Sequence, residues 1–182
     1  EHMPEAEVSL RLAFYLLSLP GSSTAAVAID GAQVGKEQKV FPISRFLADS
    51  GWFLRTTKGK NAWQGTYAKD GKELRVHCTP GLGDVVVSVA GKRIRAECKG
   101  GPLVKKASNP EYPLLRELIG HAVTTEKIEA GDVLVVAVPR SPTFQRLAAK
   151  WRKAPLLAKT GIQIILVGRD GTVDHVKVRR KR

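Results

Sequence analysis

The chain of 182 residues is 43% hydrophobic and 26% charged, the balance of an ordinary globular protein, which excludes a largely disordered one. Its 30 Lys and Arg against 17 Asp and Glu leave a net charge of +13, which favours a polyanionic partner, nucleic acid before an acidic protein or an anionic membrane. Two cysteines, Cys78 and Cys98, show no C-x-x-C spacing; this argues against a structural zinc site and a disulfide scaffold, and both are read as reduced core thiols of a cytoplasmic protein.

Glu1-His2-Met3 reads as a cloning scar and is set aside. Val8, Leu12, Tyr15, Leu16 and Leu19 recur at helical spacing, predicting a helix over 5–18 that Pro20-Gly21 stops. The stretch Leu10 to Leu19, broken by Arg11 and Ser18, is too short to span a bilayer, so no membrane partner is expected. Residues 25–29 predict a short strand, and 40–49 a helix with Pro42 in its first turn, Ile43, Phe46 and Leu47 facing inward and Gly51 ending it. A strand begins at Trp52-Phe53, and a polar basic loop with Lys58, Lys60 and Asn61 follows over 56–63. Thr66 to Lys69 and Glu73 to Cys78 flank the hairpin signal Asp70-Gly71; Asp84 to Val89 and Lys92 to Cys98 flank Ala90-Gly91. The rest alternates: helix 111–124, apolar strand 132–138, helix 141–153, strands 162–167 and 172–178, then the basic tail ending Arg179-Arg180-Lys181-Arg182. The expected fold class is α/β, a mixed central sheet flanked by helices, with residues 1–35 as a helix-strand extension ahead of a domain over 36–182.

The second hairpin carries the chemistry. A two-residue turn at Ala90-Gly91 pairs Val89 with Lys92, Val87 with Ile94, Val85 with Ala96 and Asp84 with Glu97. One face then holds Val85, Val87, Val89, Ile94, Ala96 and Cys98; the other holds Asp84, Val86, Ser88, Arg93, Arg95, Glu97 and Lys99. A one-residue slip in either strand would mix the faces, so the clean split supports the register. Carboxylates opposite each other repel unless a cation sits between them, and a hard divalent ion such as Mg²⁺ fits oxygen donors. Lys99, the next residue on that face, stands where it can orient or activate a water. Metal, carboxylates and a cation are the parts an in-line attack on a phosphodiester needs.

Asp84, the intervening stretch and Glu97-Cys98-Lys99 resemble the signature of the PD-(D/E)xK nuclease superfamily, which includes many restriction endonucleases and archaeal-type Holliday-junction resolvases. The resemblance covers roughly residues 36–167 and implies a restriction-endonuclease-like αβββαβ core and Mg²⁺-dependent DNA hydrolysis, with Mn²⁺ able to substitute. It makes Asp84, Glu97 and the backbone carbonyl of Cys98 metal ligands and Lys99 the catalytic lysine. Gly83 stands where the family name has proline. For the acid that the family often carries on its first core helix, Glu37 is the best match and Glu7 the weaker one. Arg116 and His121 are expected to point at the site from the following helix, with Leu114, Leu115, Leu118 and Ile119 packing inward.

Lys58, Lys60, Arg93, Arg95, Lys105, Lys106, Arg116 and the 177–182 tail are the expected DNA-phosphate contacts, and a homodimer suits double-strand cleavage. The plain reading of Asp84, Glu97 and Lys99 is an exposed salt bridge on a solvated sheet face; that of Lys105, Lys106 and the tail is a solubilising surface. Trp52 and Trp63 read as core or loop anchors. The alternatives to a nuclease are a catalytically inactive nucleic-acid-binding module and an accessory subunit of a larger complex.

Overall fold

Positive φ at both central residues closes two tight hairpin turns, at Asp70-Gly71 (47° and 73°) and Ala90-Gly91 (49° and 76°). Both are mirror-image turns whose twist matches that of the strands they join; Ala90 accepts the left-handed conformation that an Asn or Gly takes at less cost. The computed structural model describes residues 1–105 and 107–178. In chain order its elements are β1 (His2–Met3), α1 (Glu5–Ser18), β2 (Ser22–Ala28), α2 (Gly31–Val34), a single 3-10 turn (Lys36–Gln38), α3 (Ile43–Asp49), β3 (Phe53–Thr57), β4 (Gly65–Lys69), β5 (Lys72–His77), β6 (Val85–Val89), β7 (Lys92–Cys98), β8 (Gly101–Pro102), α4 (Glu111–Val123), β9 (Asp132–Pro139), α5 (Pro142–Trp151), α6 (Pro155–Thr160) and β10 (Gln163–Val167).

Eight strands form one mixed sheet in the order β10-β9-β7-β6-β2-β5-β4-β3, so the fold is α/β as expected. The β6–β7 register is the one read from the sequence: Val85 opposite Ala96, Val87 opposite Ile94, Val89 opposite Lys92. β2 runs antiparallel to β6, and β7 runs parallel to β9. Along β9 the side chains alternate: Val135 and Ala137 join the core on one face of the sheet, Val136 and Val138 the core on the other. The first core is built on α1, buried on most of its circumference against Val27, Val85, Val87 and Ile94. Leu115 and Leu118 of α4 and Phe144 of α5 build the second core over β9 and β10. Over β2 and β5 that second face is open: Thr24, Glu73 and Arg75 are exposed.

Residues 1–35 form the expected helix and strand, but not as an extension. β2 is hydrogen-bonded between β6 and β5, and α1 is the centre of the larger core. The N-terminal tripeptide, set aside on sequence, is packed into the fold: His2–Met3 pairs with Gly101–Pro102, and Met3 is fully buried. Taken in chain order, α1, β2, β6, β7, α4 and β9 are a helix, three adjacent strands, a helix and a strand, with α2, α3 and β3–β5 lying between β2 and β6. Pro42 precedes α3 instead of lying in its first turn. The expected strand over 172–178 reduces to one bridge, Val167 to Val173. Asp174 is drawn aside by Arg140 and Arg152, and the Gln163 side chain, rather than a strand neighbour, bonds both the N–H and the C=O of Lys177. The helix expected over 141–153 ends at Trp151, and Pro155 starts the separate α6. Among the described residues no helix is long and apolar enough to cross a membrane.

Candidate active site

The open end of the β6–β7 hairpin is where the carboxylates meet. Asp84 lies one residue ahead of β6; its carbonyl accepts from the Ala28 N–H at 2.8 Å, fixing it beside the end of β2. Its Oδ2 accepts from the Cys98 N–H at 2.7 Å. In an extended strand the N–H and C=O of one residue point to the same side, so the Cys98 carbonyl also faces Asp84, while the Cys98 side chain lies in the core. Cys78, expected in the core as well, is exposed, because it lies just past the end of β5. Gly83 makes this closure possible. Its φ is +139°, and a Cβ there would stand 2.9 Å from the Ala96 carbonyl oxygen and 3.3 Å from Glu97 Oε1. Proline, with φ locked near −65°, cannot replace it in this geometry.

Lys99 Nζ lies 3.6 Å from Glu5 Oε2 and 3.3 Å from Glu117 Oε1. Glu5, in the first turn of α1, is further held by Gln33, whose Nε2 donates to Oε1 at 2.6 Å. Glu97 is half-buried and, among the described residues, makes no hydrogen bond or ion pair of its own. The acids pay for their crowding. Burial raises the Asp84 pKa from the ordinary 3.8 to about 6; the Cys98 N–H opposes this and the charge of Glu97 adds to it. Burial likewise raises Glu97, against the pull of His121 and Arg95, and raises Glu5, against the pull of Lys99. Burial alone would lower the Lys99 ammonium, but Glu5, Glu117 and Asp84 together outweigh it and its pKa rises.

The structure thus gathers Asp84, Glu97 and Lys99 as the sequence suggested, and adds Glu5, Gln33 and Glu117. Of the N-terminal acids, Glu5 lies beside Lys99; neither Glu37 nor Glu7 does. Glu37 has φ 53° in the 3-10 turn and a side chain 78% exposed, paired with Lys39 in solvent. Glu7, two residues from Glu5 and so on another side of α1, is committed to Arg11 and Arg169. From α4 it is Glu117 and His121 that act on the site, while Arg116 lies over the Tyr112 ring. Leu114, Leu115, Leu118 and Ile119 pack inward as expected.

No family model, curated protein or solved structure matches this chain.

Two of the expected DNA contacts are otherwise engaged. Arg93 pairs with Asp132 and Glu129, and Arg95, itself buried, donates to the carbonyls of Leu82 and Lys127 and to Asp132 Oδ2. The cause is β9: its first residue, Asp132, sits opposite Arg93 in register and brings a carboxylate only 1% exposed under both guanidiniums. Lys58, Lys60, Lys105 and Arg116 are exposed; Lys106 and Arg179–Arg182 lie outside the described residues.

Among the described residues no three His, Cys, Asp or Glu side chains converge into a ready-made cage for a metal ion. The donor set nevertheless suits a hard cation. The second oxygen of Asp84, the carboxylate of Glu97 and the carbonyl of Cys98 are all oxygens on one side of the hairpin end, and Mg²⁺ typically takes one or two carboxylates and keeps several waters. Burial is the main reason the pKa values of Asp84, Glu97 and Glu5 are raised, a cost that a bound cation would offset.

Proposed function

We propose that this protein is a Mg²⁺-dependent DNA endonuclease whose site is formed by Asp84, Glu97 and Lys99. The observation that carries the reading is the meeting of these three with Glu5 at one hairpin end: the acids are half-buried, Asp84 is held by the Cys98 N–H, Glu5 by Lys99 and Gln33, and the Glu97 carboxylate is left without a bond among the described residues. The resemblance of Asp84 and Glu97-Cys98-Lys99 to the PD-(D/E)xK signature supports it, as does the succession α1, β2, β6, β7, α4, β9 around them. Asp84, Glu97 and the Cys98 carbonyl would hold the metal, which supplies charge neutralisation and a water of lowered pKa. Lys99, kept protonated by Glu5 and Glu117, presents its ammonium to the attacked phosphate and the incoming water. Glu5 and Gln33 fix the position of that ammonium. DNA as partner, a homodimer for cutting both strands, and a cytoplasmic setting with Cys78 and Cys98 as free thiols belong to the same reading.

The test is cleavage of a supercoiled plasmid and a branched DNA in Mg²⁺ or Mn²⁺ by the parent, Glu97→Ala and Lys99→Ala. Cutting by the parent that both substitutions abolish, with DNA binding intact, is the expected result. Absence of cutting on either substrate in either metal, with salt-sensitive binding retained, favours an inactive nucleic-acid-binding module instead.

A further inference from the structure

Beside the candidate site, on the open face of the sheet, lies a trough of about 580 Å³. Its floor is Ala26 and Val86, neighbours in register; its sides carry Lys58, Arg75, His77 and Gly83. No Asp or Glu lines it, and neither Lys58 nor Arg75 has a carboxylate partner among the described residues. In one row across the sheet, Arg75 stands beside Ala26, Ala26 beside Val86, and Val86 beside Arg95. Arg95 is neutralised by Asp132; Arg75 is not. The small side chains between them leave the row flat. Glu73, the next residue of β5 on that face, does not line the trough.

The trough ends close to the acids, although neither Asp84 nor Glu97 lines it. Gly83 is part of its lining, a Cβ built there would stand 3.3 Å from Glu97 Oε1, and Asp84 follows directly in the chain. Two interstrand steps and two residues along a strand put the Cα atoms of Arg75 and Asp84 roughly 12 Å apart. No Phe, Tyr or Trp lines the space, whereas surfaces that read unpaired bases stack them on aromatic rings. What it offers is positive charge and glycine-rich backbone, the means of gripping phosphates without reading sequence.

We infer that this trough seats the sugar–phosphate backbone of a polynucleotide, with Lys58 and Arg75 as phosphate contacts, leading that strand to Asp84 and Glu97. The inference rests on the nuclease reading only for what happens at its end. β3–β5, inserted between β2 and β6, supply the wall that carries both cations.

The test is fluorescence anisotropy of a labelled duplex and its single strand in EDTA, as a function of salt, for the parent, Lys58→Ala/Arg75→Ala, and a control pair Lys150→Ala/Lys153→Ala on exposed positions outside the trough. All four side chains are exposed, so folding is not at stake. Loss of two phosphate contacts is expected to weaken binding about tenfold or more at low salt and to reduce the slope of log affinity against log salt by about 2, with little change in the control. Arg75→Lys, which keeps the charge, restores most of the affinity. Equal losses in both double variants, or an unchanged slope in the trough variant, overturn the inference. Trough-dependent binding by a parent that cuts nothing would sink the nuclease reading alone; cutting with trough-independent binding would sink this one alone.

Discussion

Asp84→Asn isolates the electrostatic cost of the candidate site. The substitution keeps an oxygen for the Cys98 N–H and removes the charge. A carboxyl whose folded pKa lies above its unfolded one favours folding while protonated; that contribution is complete below the unfolded value and lost as pH rises through the folded one. For Asp84 the window runs from 3.8 to about 6. The gap corresponds to about 3 kcal/mol of penalty carried at neutral pH. Because the new amide is also partly desolvated, a net gain of about 1–3 kcal/mol is expected, or roughly 2–10 °C in melting temperature for a chain of this size. Thermal unfolding by circular dichroism, in EDTA at pH 7.5 and in steps to pH 4, reads it. The variant should melt above the parent at pH 7.5, and the difference should vanish towards pH 4. Added Mg²⁺ should raise the parent more than the variant, which keeps Glu97 but has lost one of the two charged ligands. A variant less stable than the parent at pH 7.5, with a difference that does not change with pH, would refute the account of Asp84 as a buried charge awaiting a cation.

Glu5→Gln removes one partner of Lys99 and one of the crowded acids; DNA cleavage should fall by about 10–100-fold while DNA binding persists, measured by single-turnover cleavage beside anisotropy. Asp132→Ala leaves the buried Arg95 guanidinium without its carboxylate and should cost about 3–5 kcal/mol in urea unfolding at pH 7. In the parent, hydrogen bonds from Arg93 and Arg95 hold Asp132 at about 2, so its stabilisation is present above the ordinary carboxylate value of 3.8 and is lost as pH falls from there to about 2; the variant should lack that acid limb. Gly83→Ala places a Cβ against the Ala96 carbonyl in a backbone conformation that favours glycine; it should destabilise by roughly 1–3 kcal/mol and abolish cleavage, seen in unfolding and plasmid-nicking assays.

The hairpin was legible because its information is local. Two alternating runs joined by a two-residue turn fix a register, and the register puts Asp84 and Glu97 on the same face. What lay out of reach depends on pairings distant in the chain. Nothing in residues 22–28 announces that they lie between β5 and β6, and so the sequence presents the helix before them as an extension and offers Glu37 and Glu7, but not Glu5, as the helix acid. The first helix nevertheless has apolar residues around most of its circumference, a pattern that marks a helix buried on more than one side. The fate of Arg93 and Arg95 was hidden in the same way, since the carboxylate that neutralises them arrives on a parallel strand after a helical crossover. The 172–178 segment has strand-like composition, but Asp174 meets two arginines that only the folded chain places there.

The charge arrangement on the outer face of β7 argues against a merely solvated sheet. Arg95 and Glu97 are two residues apart on one face, the spacing at which a surface protein pairs them at little cost. Here the guanidinium bonds instead to Leu82, Lys127 and Asp132, and Glu97 is left with electrostatic influence but no bond. Each cation on the face up to Arg95 has been neutralised by β9 and the loop before it, while the acids beyond it share one ammonium. A fold selected for stability alone would gain by closing the Arg95–Glu97 pair and relieving the raised pKa of Asp84. Keeping them apart preserves an excess of carboxylate oxygens at the mouth of a cationic trough, a combination suited to a divalent ion and a phosphate arriving together.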